Sequence, residues 1–585
     1  MAKKLDKVDV VIIGSGWSGG IVAAELAKKG YQVVGLERGK DQSIEDFIGA
    51  KDELRYTRRS EMTQDLTIES FTVRNTLDES AIPIRGKAGF NIGTNTGGMS
   101  AHWTGVTFRW LPFDFEIKSK LIEKYGKDII PKDMTIQDWG ITYDELEKYY
   151  DQFEKTAGVA GEDNPLGPER SDEYPNPPVK ETPSVQLFQE AAKELGYHPY
   201  RLPSANADQD YENPDGETIN ACVYCAFCTL HGCDFGAKAD PIVTVLKTAK
   251  KTNNYELRNA AYAKRILHDG ERATGVLYVD TETGEEYEQP ADLVVSAAFT
   301  FTNTKLLLLS EIGEPYDVKT GKGIIGKNYT GHHTNIGLIG ATGFFEDKKF
   351  NNFAGAGALG ATIDDYNPEQ LDHLEEGFLH GYEVYILQEG NPPISGNNVP
   401  EGTPLWGKEF KEKSLHYANR QITLAHQYGS LPWNHNFLDL DPNYTDAFGD
   451  PLLRITCKYT DHDRNINRQA LETSKEILEQ MGADIIQAPE ITDETEFSGA
   501  DVEAHSAGGV IMGEDAETSA VNSYSQMWDM ENLFVVGASS FPHFGHHNPT
   551  GTVGAMAYRA AEGMIKYLEE GGGLLVEAKD ESRTV

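Results

Sequence analysis

The chain has 585 residues, of which 39% are hydrophobic and 25% charged, and this composition and length fit a globular protein of two or more domains. Its 92 acidic residues outnumber its 53 basic residues and give a formal net charge of −39. Such a charge repels phosphate backbones and anionic lipids, so it argues against nucleic-acid binding and against unaided membrane adhesion.

The apolar runs of the chain are short. The longest, such as residues 10–13 and 306–309, fall far below the roughly 20 residues that span a bilayer, so we expect no direct membrane insertion. The first residues give way almost at once to a strand pattern, which leaves no room for a secretory signal. We therefore expect either a cytoplasmic location or export in folded form beside a partner that carries the signal.

The first elements form a βαβ pattern. A β-branched run over residues 8–13 predicts a strand, apolar spacing over 21–29 predicts a helix, and residues 31–36 form a second predicted strand. The later patterns predict a charged helix over 144–154, an exposed excursion over 164–183, strands with a hairpin over 257–298, mixed strands over 336–438, a helix over 464–481, a strand over 532–538 and a helix over 554–568.

A G-x-G-x-x-G motif joins the first predicted strand to the first predicted helix. Gly14 allows the tight turn, Gly16 lets the backbone approach a pyrophosphate, and Gly19 lets the helix pack on the sheet. Glu37 ends the second strand, where a carboxylate accepts hydrogen bonds from ribose hydroxyls. The motif predicts a dinucleotide site without separating FAD from NAD, and the sequence that follows Glu37 favours FAD.

Four of the five cysteines lie close together with the spacing C-x2-C-x2-C-x4-C, at Cys222, Cys225, Cys228 and Cys233. The first three repeat the ferredoxin-like rhythm that wraps a chain around an iron–sulfur cluster. Zinc is the main alternative because four sulfurs satisfy its tetrahedral preference, although zinc more often takes paired C-x2-C knuckles. Free or redox-active thiols are a third interpretation. Cys457 lies in a strand-like segment and is expected in the core.

Five further segments are distinctive, at residues 97–104, 138–143, 505–509, 532–538 and 548–553. Together they resemble the glucose–methanol–choline (GMC) oxidoreductase family. The likeness covers nearly the whole chain and is greatest with the flavoprotein subunits of bacterial gluconate 2-dehydrogenase and related FAD-dependent sugar dehydrogenases. The first segment, Gly-Gly-Met-Ser-Ala-His-Trp-Thr, is also similar to pyranose oxidases.

The resemblance implies an α/β fold of two domains. A Rossmann-like FAD-binding domain of the GMC type would comprise residues 1–310, including an acidic excursion at about 160–185 and the cysteine cluster at 222–233, and residues 501–585. An α+β substrate-binding domain of sheet and helices would comprise residues 311–500.

The resemblance also implies a catalytic pair that faces the flavin. His505 and Asn548, separated by 548 − 505 = 43 residues, match the family positions. Imidazole suits the general base because its pKa lies near neutrality, and Asn548 would orient the substrate oxygen by a hydrogen bond. His546 and His547 either contact sugar hydroxyls or lie on the surface, and the sequence leaves both interpretations open. The further cofactor-binding residues that the resemblance implies are Gly98, His102, Gly537, Ala538 and Thr550.

His102 is the candidate for a covalent bond to the flavin. In pyranose oxidases and some sugar dehydrogenases the histidine of this His-Trp pair is joined to the cofactor. Ala101 stands where the pyranose oxidase pattern has threonine. The alternative is a histidine that is only hydrogen-bonded to the cofactor or the backbone.

These features together predict an FAD-dependent dehydrogenase that oxidises an alcohol of a sugar or sugar acid by hydride transfer to the flavin. Related sugar dehydrogenases carry a three-iron cluster, so we expect a [3Fe-4S] cluster with one of the four cysteines spare. The resemblance further implies a small accessory subunit, a c-type cytochrome as electron acceptor, and a peripheral position on the extracytoplasmic face of the cell membrane.

Two other functions remain open at this point. The enzymatic alternative is a pyranose oxidase or glycoside 3-oxidase that passes electrons to O2. A non-enzymatic electron-transfer module is the other, and His505 and Asn548 argue against it.

Overall fold

The computed structural model describes residues 2–47, 62–86, 92–333, 336, 340–351, 353–390 and 398–579. Its strands are Lys3–Lys4, Val8–Ile13, Val33–Leu36, Phe71–Arg74, Ile82–Pro83, Tyr200–Arg201, Tyr211–Glu212, Thr218–Ile219, Tyr255–Arg258, Ala261–His268, Ala273–Asp280, Glu286–Ser296, Thr330–Gly331, Ala341–Phe344, Gly360–Ile363, Tyr382–Leu387, Gln421–Tyr428, Phe437–Thr445, Pro451–Thr456, Ile485–Gln487, Ser506–Ala507 and Leu533–Val535. Its α-helices are Trp17–Lys28, Pro112–Phe115, Ile117–Tyr125, Tyr143–Ala157, Pro183–Glu194, Val245–Lys251, Thr300–Leu309, Gly407–Tyr417, Asp461–Gln480 and Thr550–Glu570.

An eight-stranded sheet, here called the nucleotide sheet, is built around four parallel strands. In spatial order these are Glu286–Ser296, Val8–Ile13, Val33–Leu36 and Tyr255–Arg258. Strands buried on both faces are apolar throughout, and Val10 to Ile13 are almost completely buried for this reason. Strand Leu533–Val535 pairs in parallel with Glu286–Ser296, so the two ends of the chain meet in one sheet.

Two helices at opposite ends of the sequence pack against the nucleotide sheet and each other. The fingerprint helix, Trp17–Lys28, contacts the C-terminal helix, Thr550–Glu570. Helix Tyr143–Ala157 packs on the C-terminal helix through the same core. It begins at a capping box formed by Thr142 and Glu145 and ends at Gly158.

A second, six-stranded antiparallel sheet has the spatial order Ile485–Gln487, Ala341–Phe344, Gln421–Tyr428, Tyr382–Leu387, Gly360–Ile363 and Tyr200–Arg201. Side chains alternate between the faces of a strand, so Val384 and Ile386 join the core beneath helices Asp461–Gln480 and Pro183–Glu194. Their neighbours Glu383 and Tyr385 point away from those helices, toward a cavity.

The predicted α/β fold is confirmed, and most predicted elements are present with shifted ends. The fingerprint helix starts at Trp17, earlier than predicted, because the glycine-rich residues after the turn are already helical. The excursion at 164–182 contains neither helix nor strand. Residues 337–339, 352 and 391–397 of the predicted strand region lie outside the described residues. The division into two domains at 310 and 500 remains a proposal. None of the described helices is both long and apolar enough to cross a membrane.

Candidate active site

A large cavity is lined by residues of both the nucleotide sheet and the second sheet. It brings together residues that are up to several hundred positions apart in the sequence. The predicted site residues that line it are Gly14, Gly16, Glu37, Gly98, His102, His505, Gly537, Ala538, Asn548 and Thr550. Gly19 does not line the cavity, in keeping with its predicted packing role.

Two glycines of the fingerprint lie where a side chain would not fit, and the third leaves space on the cavity side. Gly14 has φ +99°, and a Cβ there would lie 2.5 Å from the carbonyl oxygen of Ala297. A Cβ on Gly19 would lie 2.0 Å from the carbonyl oxygen of Gly14, since the helix passes directly over the turn. Gly16 has no neighbour closer than 3.8 Å to such a Cβ and leaves open space on the cavity side.

Two helices begin at the cavity without a side-chain cap from their N-cap residues, although the N–H of Trp17 donates to Ser100 Oγ at 3.4 Å. The fingerprint helix has Gly16 as its N-cap and the C-terminal helix has Pro549, and neither N-cap side chain accepts a hydrogen bond. Neither helix has an acidic residue in its first turn. The unpaired N–H groups and the helix dipole favour negative charge, so the end of the fingerprint helix fits a pyrophosphate.

Glu37 is held at the adenosine end that the fingerprint predicts. Its carboxylate accepts hydrogen bonds from the N–H of Ser15 at 3.1 Å, the Ser15 hydroxyl at 2.7 Å and the N–H of Gly39 at 2.9 Å. Burial raises the pKa of the Glu37 carboxyl above its usual value. The carboxylate is therefore fixed in place beside the cavity, and its contact with a ribose stays a prediction.

His505 and Asn548 meet in the cavity, and a third residue determines which nitrogen of His505 is free. Asn548 Nδ2 lies 3.4 Å from His505 Nε2, and His332 Nδ1 lies 3.1 Å from His505 Nδ1. His332 Nε2 lies 2.9 Å from the carbonyl oxygen of Gly545. A carbonyl only accepts, so His332 Nε2 carries the proton and its Nδ1 accepts from His505. The lone pair of His505 is therefore on Nε2, beside Asn548.

The imidazoles of His505 and His332 are both uncharged near neutral pH. Burial lowers the pKa of His505 to about 4. Burial, with the neighbouring His505 as a second cause, holds the pKa of His332 well below its usual value. A neutral imidazole with its lone pair on Nε2 is the form that accepts a proton, so His505 is available as a base over a wide pH range.

His546 and His547 are both buried, with exposed fractions of 0% and 2%, so the surface interpretation is wrong. His546 Nε2 lies 2.8 Å from Asp364 Oδ1, and the His547 ring stacks on Phe108 with centroids 4.4 Å apart. Burial disfavours the imidazolium of His547, but the Asp364 carboxylate raises its pKa to about 9. Phe108 lines the cavity and neither histidine does, so they lie just behind its wall.

A similar group of one aspartate and two histidines lies nearby. Asp114 Oδ1 is 2.9 Å from His380 Nε2 and 3.3 Å from His543 Nε2. The N–H of Gly381 donates to His380 Nδ1, and the indole N–H of Trp139 donates to His543 Nδ1. Both Nε2 atoms must therefore carry protons, which leaves them no lone pair for a metal ion. The group is a hydrogen-bonded support behind the cavity wall.

The four clustered cysteines are free thiols and lie outside the cavity lining that the structure describes. Their loop turns back on itself with left-handed backbone at Tyr224, Ala226 and Leu230, whose φ angles are +54°, +68° and +61°. The N–H groups of Tyr224 and Ala237 point at the sulfurs of Cys222 and Cys233, each at 3.4 Å. In the described chain, no three of these sulfurs lie within 4.8 Å of one another. Cys457 is 1% exposed, which confirms its place in the core.

The loop that carries the four cysteines, residues 222–233 and here called the cysteine loop, contacts the backbone of His102 directly. The N–H of Leu230 donates to the carbonyl oxygen of His102 at 2.7 Å, and Thr229 and Leu230 line the cavity. The Lys238 ammonium donates to the carbonyl oxygens of Trp103 and Cys228, each at 2.8 Å. The loop is thus joined to the cavity wall by hydrogen bonds on both of its sides.

Sequence reasoning missed His332, Glu383 and Gln427, which the fold brings beside the predicted residues. His332 follows a two-residue strand in a segment without a recognisable motif. Glu383 carried a usable signal, because an acidic residue within the apolar strand Tyr382–Leu387 requires a polar partner or a ligand.

The GMC oxidoreductase family matches the chain over residues 136–334 and 432–557. The gluconate 2-dehydrogenase flavoprotein of Pantoea cypripedii is 39% identical, with 99% of this chain and 97% of the relative aligned. The fructose dehydrogenase large subunit of Gluconobacter japonicus is 24% identical over 98% of this chain and 100% of the relative. Among solved structures, a formate oxidase from Aspergillus oryzae aligns with TM-score 0.61 and 16% identity, over 97% of this chain and 99% of the other.

The family match and the full-length likeness to a flavoprotein agree with the glycine turn of the fingerprint and with the position of Glu37 beside the cavity. They establish FAD as the cofactor and an alcohol CH–OH group as the donor. The chain is a member of the GMC oxidoreductase family.

Proposed function

We propose that the protein is a dehydrogenase that oxidises an alcohol of a sugar or sugar acid and sends the electrons through an iron–sulfur cluster to a cytochrome. The observation that carries the proposal is the pairing of two features at one cavity. His505 Nε2 and Asn548 converge inside it, and the cysteine loop is hydrogen-bonded to the His102 segment of its wall.

His505 and Asn548 would act on the substrate hydroxyl. His505 Nε2 accepts the hydroxyl proton, since its Nδ1–H is held by His332. Asn548 Nδ2 donates to the substrate oxygen and keeps it beside Nε2. Removal of the proton makes the carbon a better hydride donor, and FAD, when bound, supplies the hydride acceptor.

The residues that line the cavity suit FAD from its adenosine part to its flavin ring. Gly14, Gly16 and the open N-terminus of the fingerprint helix would hold the pyrophosphate, and Glu37 would hold the ribose. His102 Nε2 is buried without a hydrogen-bond partner. Burial and the Lys238 ammonium lower the pKa of His102 to about 3, which leaves a neutral imidazole. These features support His102 as the site of covalent attachment, in which case FAD stays with the chain after denaturation.

The cysteine loop supports a cluster rather than a single zinc ion. Zn–S bonds of about 2.3 Å place tetrahedral sulfurs within about 4 Å of one another. In the described chain, every set of three of these sulfurs includes at least two that are more than 4.8 Å apart, which is wider than a single zinc ion requires. Several irons and bridging sulfides occupy more space between thiolates, and backbone N–H groups aimed at the sulfurs stabilise their negative charge. A [3Fe-4S] cluster on three of the four cysteines is our proposal.

The relatives support further subunits. One relative is named the flavoprotein of gluconate 2-dehydrogenase, and another is named the large subunit of fructose dehydrogenase, a name that implies at least one further subunit in that enzyme. We propose a small accessory subunit, a c-type cytochrome acceptor and a peripheral place on the extracytoplasmic face of the cell membrane. The alternative location is the cytoplasm.

Metal and sulfide analysis with low-temperature electron paramagnetic resonance (EPR) tests the proposal, on protein purified without oxygen. D-Gluconate and D-glucose should bleach the flavin, and we expect about three irons per chain with an EPR signal that changes when sugar is added. Zinc or no metal, together with peroxide formed from sugar and oxygen, would instead show an oxidase.

His332 offers a test of the base itself. Replacing His332 by phenylalanine removes the acceptor for His505 Nδ1–H, so His505 can turn or change tautomer. We expect flavin reduction to slow about 10- to 100-fold with KM little changed. His332→Gln, which retains an acceptor oxygen, should recover much of the rate. Stopped-flow flavin reduction measures both variants, and equal rates for phenylalanine and wild type would show that the tautomer needs no support.

A further inference from the structure

Two polar side chains of the second sheet face the cavity side by side. Glu383 and Gln427 are register partners on the antiparallel strands Tyr382–Leu387 and Gln421–Tyr428. Side chains opposite each other in such a pair stand on the same face of the sheet, about 5 Å apart at Cβ. Both residues line the cavity that holds His505.

Each of the two residues presents a buried acceptor atom without a partner. Glu383 Oε1 and Gln427 Oε1 make no hydrogen bond, although the residues are only 1% and 3% exposed. A buried polar atom without a partner is destabilising, so native structures rarely keep one without a use.

The other atoms of both side chains are anchored. Glu383 Oε2 lies 2.9 Å from the Thr362 hydroxyl oxygen, and the side chain of Gln427 lies beside the hydroxyl of Tyr385. These contacts hold the carboxyl and the amide in place, so the two free oxygens point at a defined part of the cavity. Two fixed acceptors on one wall match two hydroxyl groups of one ligand.

We propose that Glu383 and Gln427 form a substrate subsite that binds two hydroxyl groups away from the reacting carbon. The subsite selects polyhydroxy substrates over simple alcohols. This inference rests on the proposed function and adds to it the residues that recognise the substrate class. Specificity of this kind is strong, because an alcohol that lacks the hydroxyls leaves the buried acceptors unpaired.

Burial raises the pKa of the Glu383 carboxyl to about 8. Near pH 7 the group is therefore mainly the uncharged acid. The Thr362 hydroxyl can donate to the carbonyl oxygen of Val384 at 3.1 Å, so the acid carries its proton on Oε2, donates it to Thr362 and keeps Oε1 as the acceptor. Glutamine imitates this arrangement in shape and in its acceptor oxygen. Glu383→Gln is for this reason the conservative variant, and Glu383→Met, of similar length, is the variant that removes the acceptor.

The test compares D-gluconate and D-glucose with cyclohexanol, which has one hydroxyl. For the better of the two sugars, Glu383→Met and Gln427→Leu should each lower kcat/KM about 10- to 100-fold. The value for cyclohexanol should stay near that of the parent protein, and Glu383→Gln should recover most of the loss. Glu472→Gln, an exposed glutamate of helix Asp461–Gln480, is the control and should change neither value. Equal losses for sugar and cyclohexanol, or no loss for sugar, would overturn the subsite.

A binding measurement separates this inference from the proposed function. The absorbance of bound flavin reports binding of D-gluconate to His505→Ala protein, in which slow turnover does not interfere. Adding Glu383→Met should raise the Kd for D-gluconate at least tenfold and leave the Kd for cyclohexanol unchanged. If sugars bind in this way but never bleach wild-type flavin, the proposed reaction fails and the subsite stands. If sugars bleach the flavin but their Kd is unchanged, the subsite fails and the reaction stands.

Discussion

Replacing His505 by alanine should slow the reduction of flavin by substrate about a thousandfold, because a positioned general base contributes about 10²- to 10⁴-fold. Substrate binding should be affected much less, since Asn548 still donates to the substrate oxygen. Anaerobic stopped-flow spectroscopy measures the rate of bleaching, and its dependence on sugar concentration separates that rate from Kd.

The control for this experiment is another histidine outside the cavity. His416 is partly exposed on helix Gly407–Tyr417 and pairs with Glu346, so His416→Ala should leave the rate unchanged. FAD content and the melting temperature of both variants should stay close to those of the parent protein, because His505 is only half-buried, at the cavity surface, although its ring stacks on Phe544. A rate in His505→Ala within tenfold of wild type would rule out His505 as the base.

The low pKa of His505 leads to a prediction about how the rate of flavin reduction depends on pH. Burial lowers its pKa to about 4, so the imidazole is neutral and able to accept a proton at all higher pH values. The rate of flavin reduction should therefore be constant between about pH 6 and pH 8 and fall as pH drops through about 4. A fall centred near 6.5, the value of an exposed histidine, would show that the base is solvated in the working enzyme.

The second large effect concerns the cysteine loop. The ferredoxin-like spacing of Cys222, Cys225 and Cys228 makes Cys225 an expected cluster ligand. Replacing Cys225 by serine should therefore remove the iron from the protein and abolish turnover with cytochrome c or another one-electron acceptor. Flavin bleaching by sugar should continue at the parental rate, because His505, Asn548 and the cavity are unchanged. The two half-reactions are thereby separated, and iron analysis, EPR and steady-state assays on one preparation check all three expectations.

Cys457 gives the matched control for this variant. It is the one cysteine outside the clustered four, and it is buried in the core rather than in the loop. Cys457→Ala should destabilise the fold by leaving a small cavity but keep the iron and the turnover. Full turnover with a one-electron acceptor in iron-free Cys225→Ser protein would remove the cluster from the electron path.

Much of the fold was predictable because its signals are local. The strand, turn and helix around Gly14 and Gly19 follow from contacts within a few residues, where only glycine fits. The helix predicted over 464–481 is observed as Asp461–Gln480, and its signal is also local, since it was predicted from apolar spacing alone. The spacing of the cysteines likewise restricts the possible metal chemistry, because it fixes how many sulfurs one short loop can offer.

The details of the active site were not predictable, because they depend on contacts between distant segments. The tautomer of His505 is set by His332, which lies 173 residues earlier in the chain. Glu383 and Gln427 become neighbours through strand register, and a shift by one residue would turn both away from the cavity. His546 and His547 are adjacent to a catalytic residue in sequence yet lie behind the cavity wall.

The sequence by itself determined the nucleotide-binding turn, the family and the chemistry of the donor and acceptor. It did so because close backbone approaches and a reactive imidazole permit few residue types at their positions. Only the tertiary structure decided which nitrogen of His505 is free, which side chains face the substrate and how the cysteine loop meets the cavity. Those features arise from hydrogen bonds and strand pairing between segments far apart in the chain, and no local pattern encodes such contacts.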